Sequence, residues 1–206
     1  MNQTNKDTYE DIAEQFSETR AYVWQCVKDF TKLIKDNSNI LEIGCGNGKN
    51  MEYILKNNNV NLIGIDTCNN FVDMCQDKKL NVILGDALKL DFEDSKFDYV
   101  LCIAMFHHLL TEEEQDKSFK EILRVMKNGA IGILTCWATE QPLDSKFKFY
   151  DGVNIVPWKG KDIIKTRYYY VYSEEMFLNF FMKYDEITII KIYNEVGNWV
   201  LLFRKN

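Results

Sequence analysis

The sequence predicts an α/β protein built on a doubly wound sheet. Two observations carry that reading. Short apolar runs alternate with amphipathic helical patterns from residue 40 onward, the rhythm of a largely parallel sheet with crossover helices. The first run, Ile40–Ile43, ends in a turn with glycine at every second position, Gly44, Gly46 and Gly48, before a helical pattern resumes at Lys49.

The elements follow in order. Thr8–Phe16 reads as a helix with Tyr9, Ile12, Ala13 and Phe16 on one face, and Tyr22–Ile34 as a second, so about 8–36 form an N-terminal helical lid. Strands are expected at Ile40–Ile43, Asn61–Ile65, Val82–Leu84, Tyr99–Ala104 and Gly132–Cys136. Helices are expected at Lys49–Lys56, Asn70–Cys75 and Glu113–Met126, the last stopped by Asn128–Gly129. About 139–172 breaks the rhythm. It holds both prolines, Pro142 and Pro157, and most of the basic excess, so it reads as an insertion over the carboxyl edge of the sheet. A helix opening at Ser173 and two closing strands, Glu186–Tyr193 and Asn198–Arg204, complete a single domain over 1–206.

Composition sets limits. With 46% hydrophobic residues in 206, the chain can bury one core. A net charge of −6 argues against gripping a long polyanion unaided. No apolar stretch reaches the ~18 residues of a membrane span, and no secretory leader is visible. A cytoplasmic protein is therefore expected, with the nucleus also open to it, and no membrane partner. None of the six cysteines forms a C-x-x-C pair; reduced thiols are expected, with Cys102 and Cys136 in the core. His107 and His108 are too few for zinc, so no metal site is expected.

The strand ends carry the chemistry. The loop reads E-x-G-x-G-x-G rather than the dinucleotide pattern G-x-G-x-x-G, and its acid, Glu42, suits a ligand bearing an ammonium or sulfonium group. Asp66 ends the second strand ~20 residues past the glycines, where an acid accepts hydrogen bonds from a ribose. Asp86 ends the third and suits an adenine amino group. Either alone reads as a cap or turn residue; the ordered set of strand ends is what points to a nucleoside ligand. A nicotinamide cofactor fits less well, because the glycine spacing differs and no hydride-transfer set is evident.

Together EIGCGNG, GID, GDA and CIAMFHHL resemble the class I methyltransferases, which use S-adenosylmethionine. That resemblance implies a seven-stranded sheet, mostly parallel with the last strand antiparallel. It also implies a cofactor site of Tyr9, Glu42, Gly44, Cys45, Gly46, Asn47, Gly48, Asp66, Thr67, Asp86, Ala87, Ile103 and Ala104. Further segments, YEDIAEQFSETR at 9–20, AMFHHL at 104–109, LTCWATEQ at 134–141, VPW at 156–158, RYYYVY at 167–172 and NW at 198–199, are similar to the eukaryotic tRNA wobble-uridine 5-carboxymethyl methyltransferases. The implied reaction esterifies the carboxylate of 5-carboxymethyluridine in the tRNA anticodon loop. Its acceptor is already ionised at neutral pH, so the task is alignment and exclusion of water rather than strong base catalysis.

Arg20 and Arg167 are the candidates for holding that anion, His107 for a hydrogen bond to the uracil or carboxylate, and Trp137 for stacking on the extruded base. Tyr9 and Phe16 would close the pocket. Trp158, Tyr168, Tyr169 and Tyr170 would line the RNA path, and Lys159, Lys161 and Lys165 would touch its phosphates. The resemblance also implies a small zinc-binding activator protein that adds a strand at Val82–Leu84, an apolar edge in this topology. Unlike some members of that family, the chain is expected to carry no fused oxygenase or RNA-recognition module, which leaves supply of the carboxymethyl group elsewhere. The alternatives are a small-molecule carboxyl or hydroxyl methyltransferase, which the basic aromatic insertion disfavours, and a non-catalytic regulatory subunit, which the intact glycine and acid positions disfavour.

Overall fold

The computed structural model describes residues 3–20, 22–160 and 164–206; Lys161 lies outside them. In chain order the elements are α1 (Gln3–Glu18), α2 (Gln25–Thr31), β1 (Asn39–Ile43), α3 (Lys49–Asn57), β2 (Asn61–Asp66), α4 (Asn69–Asp77), β3 (Val82–Leu84) and β4 (Phe97–Cys102). A 3-10 turn (Phe106–His108) leads to α5 (Glu112–Val125), β5 (Met126–Trp137), β6 (Gly152–Lys159), β7 (Ile164–Val171), α6 (Glu174–Met182), β8 (Ile187–Glu195) and β9 (Asn198–Lys205).

Seven strands form one sheet in the order β3-β2-β1-β4-β5-β9-β8, and β9 runs antiparallel to both neighbours. The expected sheet is therefore present. Strand β1 pairs with β2 on one side and β4 on the other, so the winding reverses between β1 and β4, and the strand ends open a crevice there.

Apolar side chains alternate between the two faces with a period of two. Leu41, Val100, Cys102 and Leu134 pack with Phe119 and Ile122 of α5 and Phe177 and Phe181 of α6. Ile40, Tyr99, Leu101 and Ile133 pack with Val27, Phe30, Met51 and Ile54 on the other face. Burial on both faces is why these strands read as continuous apolar runs. Strand β3 is an edge, as expected, and leaves Ile83 41% and Leu84 54% exposed. All six cysteines are free and buried. Among the described residues no helix is long and apolar enough to cross a membrane.

Several boundaries differ from expectation. The helix expected over Tyr22–Ile34 begins only at Gln25; Tyr22–Trp24 runs non-helically along the cavity rim, where Tyr22 is 88% exposed. Asn128–Gly129 is not a helix stop. It lies inside β5, where Gly129 adopts φ +81° and the register with β4 shifts, so the turn residues make a bulge. Strand β4 ends at Cys102 rather than Ala104. The insertion contains a hairpin, β6–β7, which pairs antiparallel and meets the main sheet's end through an Ala138–Tyr172 bridge.

Helix α1 joins three parts of the molecule. Asn5 stands in for a strand beside β7: its Nδ2 donates to the Tyr168 carbonyl (2.7 Å) and its Oδ1 accepts from the Tyr168 N–H (2.8 Å). Thr8 Oγ1 donates to the Thr166 carbonyl (3.1 Å). The Glu10 carboxylate accepts from the N–H groups of Asn69 (2.7 Å) and Asn70 (3.1 Å), capping α4 where Cys68 supplies no cap. Ser17 Oγ accepts from Asn47 Nδ2 (3.0 Å), reaching the glycine loop.

Packing at β5 gives a stability test. A Cβ on Gly132 would lie 2.3 Å from the buried ring of Phe203, its cross-strand partner, which is itself held against Phe119. Gly132→Ala is expected to destabilise by about 1–3 kcal/mol through overpacking. Urea unfolding should show a lower midpoint with an unchanged m-value.

Candidate active site

The cavity lies at the carboxyl ends of β1, β2 and β4 and measures ≈ 460 Å³, within the size range of small-ligand sites. Its floor is the glycine loop. Gly44 and Cys45 both donate their N–H groups to the Ile65 carbonyl (2.8 and 3.0 Å), and the Gly46 N–H donates to Asp66 Oδ2 (2.9 Å). Gly44 takes φ +71°, and a Cβ there would meet the Met105 side chain at 2.4 Å, so only glycine fits. Gly46 faces open space, with nothing within 4 Å of a Cβ. Gly48 does not line the cavity; it starts α3 at φ +75°, and a Cβ would strike Leu80 and Cys75, so it serves close packing.

Glu42 also lies outside the lining. It is buried behind the loop, where Oε1 accepts from Asn50 Nδ2 (2.8 Å) and Oε2 has no partner among the described residues. Burial first, opposed by that bond, and then the charge of Asp66, push its carboxyl up to about 8. It steadies α3 beneath the loop. Asp66 does face the cavity; Oδ2 is bonded to Gly46 and Oδ1 accepts from the Cys68 N–H (3.0 Å). Each oxygen can accept a second bond, which leaves capacity for a ribose diol. Asp86 lines the cavity and accepts from the Leu88 N–H through Oδ1 (2.9 Å). Tyr9, Cys45, Asn47, Thr67, Ala87, Ile103 and Ala104 line it too. Ala104 holds φ +52°, fixed by its N–H bond to Thr135 Oγ1 (2.8 Å).

The other end of the cavity is aromatic and cationic. Tyr9 Oη bridges His108 Nε2 (3.3 Å) and Tyr169 Oη (3.0 Å). Arg20, His107 and Trp137 all reach the cavity; Arg20 lies over the Phe16 ring at 4.3 Å. Arg167 is 5% exposed and sits behind Tyr169, with its guanidinium 5.2 Å from that ring and 5.1 Å from Trp158. Neither arginine has an ion pair to a carboxylate among the described residues. Burial, then the charges of His108, Arg167 and Arg20, hold His107 well below its ordinary value; burial and then Arg167 push His108 down to about 3. Both imidazoles are thus neutral at pH 7. No cluster of metal-ligating side chains occurs among the described residues.

Apart from Tyr169, the described residues expected along the RNA path do not line the cavity. Trp158 packs against Phe16 at 5.5 Å, Lys165 pairs with Asp11, and Lys159 and Tyr168 lie on the hairpin away from the lining. Tyr169, expected on the RNA path, lines the cavity, as do Gln141, Phe147, Asn198, Tyr22 and Trp24, which were not anticipated as site residues. The alternation in RYYYVY carried the signal for Tyr169: with Arg167 pointing inward, Tyr169 and Val171 follow and Tyr168 points out.

A methyltransferase domain family matches residues 41–134, from β1 to the middle of β5. Over 133 residues the chain is 38% identical to a tRNA (carboxymethyluridine(34)-5-O)-methyltransferase of Arabidopsis thaliana, covering 65% of this chain and 32% of that protein. Over 167 residues it is 30% identical to the Saccharomyces cerevisiae protein of the same name, covering 77% of this chain and 58% of that one. The chain carries a class I methyltransferase domain related to the tRNA carboxymethyluridine methyltransferases. It spans less than two thirds of either relative's length. A chain of the Haloferax volcanii complex of the Trm112 methyltransferase activator with a methyltransferase superposes with a TM-score of 0.76 at 12% identity, covering 98% of this chain and 97% of that one, a likeness of fold alone. The family implies S-adenosylmethionine as cofactor, and the open face of Gly46 with Asp66 and Asp86 beside it fits that group.

Two titrations follow. Glu42 keeps its proton in the folded state up to about pH 8 but loses it near ~4.3 unfolded, so the native state binds more protons and stability falls as pH rises across that window. Glu42→Gln should raise the melting temperature at pH 8, by about 2–4 °C for each kcal/mol recovered, and the gap to wild type should close near pH 4. His108 has the opposite sign. It charges near ~6.5 when unfolded and only at about 3 when folded, so its contribution is full above ~6.5 and lost as pH falls. Urea midpoints measured from pH 7 to 4.5 should fall less steeply in His108→Gln than in wild type.

Proposed function

We propose that this protein transfers a methyl group from S-adenosylmethionine to the carboxylate of 5-carboxymethyluridine at the wobble position of tRNA, giving the methyl ester. The observation that carries the reading is the pair of arginines without carboxylate partners beside the cavity, one of them buried. A buried charge left unpaired is destabilising by several kcal/mol, and an incoming anion relieves that cost. The names of the two relatives support the same acceptor.

The residues divide the work. Arg20, at the cavity mouth, is placed to bind one carboxylate oxygen, leaving the other free to react. Arg167 adds positive potential from behind Tyr169 without direct contact, which draws in the anion without blunting it. His107, held neutral, can bond to the uracil or the carboxylate without becoming a competing cation. Trp137 offers a wall for the base. Tyr9, bonded to His108 and Tyr169, closes the acceptor end and excludes water. When bound, S-adenosylmethionine supplies an electrophilic methyl group on a cationic sulfur. No strong general base is required.

The exposed Ile83 and Leu84 on edge strand β3 support strand addition there by a small zinc-binding activator protein, which would cover both side chains and pair backbone beyond Val82, whose N–H and carbonyl are already bonded to Leu80 and Gln76.

Mass spectrometry of wobble nucleosides from cells lacking the protein should show free carboxymethyluridine accumulating as its methyl ester disappears. Unchanged ester would sink the reading. In purified protein, Arg167→Gln should cut tRNA methylation by about 100-fold, the order lost with one electrostatic stabiliser, with S-adenosylmethionine affinity by calorimetry held within about twofold.

A further inference from the structure

We infer that Lys146–Tyr150 is a stacking ladder for the unpaired nucleotides next to the target base. The inference rests on the tRNA reading above and assigns a surface that holds the RNA, in a part of the basic insertion other than the 158–170 stretch expected to line the RNA path.

The segment reads Lys-Phe-Lys-Phe-Tyr, rings and cations in alternation. Phe147 and Phe149 stack with centroids 5.6 Å apart and planes 11° apart. Both rest on Trp137, at 5.6 and 5.0 Å. Trp137 in turn lies 5.9 Å from His107 and 4.7 Å from Tyr169. The rings thus run without a break from the acceptor end of the cavity to its mouth. Phe147 lines the cavity yet is 45% exposed, and Tyr150 beyond it is exposed.

Core packing does not account for an apolar ring held half in water at a cavity mouth. Bases do, because every base presents a π-face and aromatic platforms take unpaired bases without regard to sequence. The cations fit the same ligand. Lys146 and Lys148 are exposed and form no ion pair among the described residues, whereas Lys165 is already paired with Asp11. The far end of the ladder is anchored. Asn154 accepts from the Tyr150 N–H (3.1 Å) and donates to its carbonyl (2.7 Å), and the Asp151 carboxylate accepts from the N–H and hydroxyl of Ser173 (3.0 and 3.2 Å). Of the two acids that flank the segment, Asp151 is therefore turned toward α6, and Asp144 is exposed and forms no ion pair with either lysine among the described residues.

The test is binding of a short anticodon stem-loop RNA carrying 5-carboxymethyluridine, followed by fluorescence anisotropy across a salt series. Phe147→Ala should weaken binding about 10-fold with the salt slope unchanged. Lys146→Ala/Lys148→Ala should lower the slope of log affinity against log salt by about 1.4, at ~0.7 per single-strand phosphate contact. The double variant should bind S-adenosylmethionine as wild type does, and both variants should melt with it, since all three side chains are exposed. If wild type and both variants bind the stem-loop alike, the ladder is wrong and the tRNA reading stands. If wild type neither binds nor methylates the stem-loop, both are wrong.

Discussion

Three consecutive N–H groups of the glycine loop are tied to the end of β2: two to the Ile65 carbonyl and the third to the Asp66 carboxylate. Everything else at the site is measured from that attachment. It fixes how far the loop stands from the end of β2, and so where the floor of the cavity lies. It holds the Asp66 carboxylate in place at the cavity wall. It also explains the glycines without appeal to the ligand at two of three positions: Gly44 yields to Met105 and Gly48 to Leu80 and Cys75, and only Gly46 faces open space.

At the opposite end of the cavity the governing term is charge. Arg167 is buried among Trp158 and Tyr169, and Arg20 stands over Phe16. Aromatic faces attract a guanidinium but do not neutralise it. Burial first, and then the positive potential that remains, keep the two histidines neutral. A chain with a net charge of −6 thus presents a local cationic site, which is the more effective for being walled by rings of low polarity.

The sheet was legible in the sequence because both its faces are covered: each strand announced itself as an apolar run and each crossover as a helical period. Boundaries failed where two structures share one pattern. Tyr22–Trp24 fits a helix face as well as a cavity rim, and Asn128–Gly129 marks a bulge as readily as a stop. The hairpin escaped because Pro142, Pro157 and Gly152 suggested irregular chain, although Val153–Trp158 and Arg167–Val171 alternate as strands do; Pro157 pairs with Thr166 within a free two-stranded ribbon, where proline is tolerated. At the site, strand ends located Asp66 and Asp86 correctly. They could not tell that Glu42 turns to the back of the loop, since that depends on Asn50, a helix away. Phe147 was hidden for a different reason: its neighbours in space, Phe149 and Trp137, come together only when the segment after β5 folds back.

The attachments of α1 bear on how the site opens. The helix is fastened to β7 by Asn5 and Thr8, to the start of α4 by Glu10 and to the glycine loop by Ser17. A cover hinged on one side can swing; one riveted on three behaves as a keystone. Removing it would strip α4 of its cap and the hairpin of its edge partner together, so shortening the chain at its amino end would cost much more than a flap. Tyr22 and Phe147, both exposed and both lining the cavity, mark a side of it that these attachments do not cross.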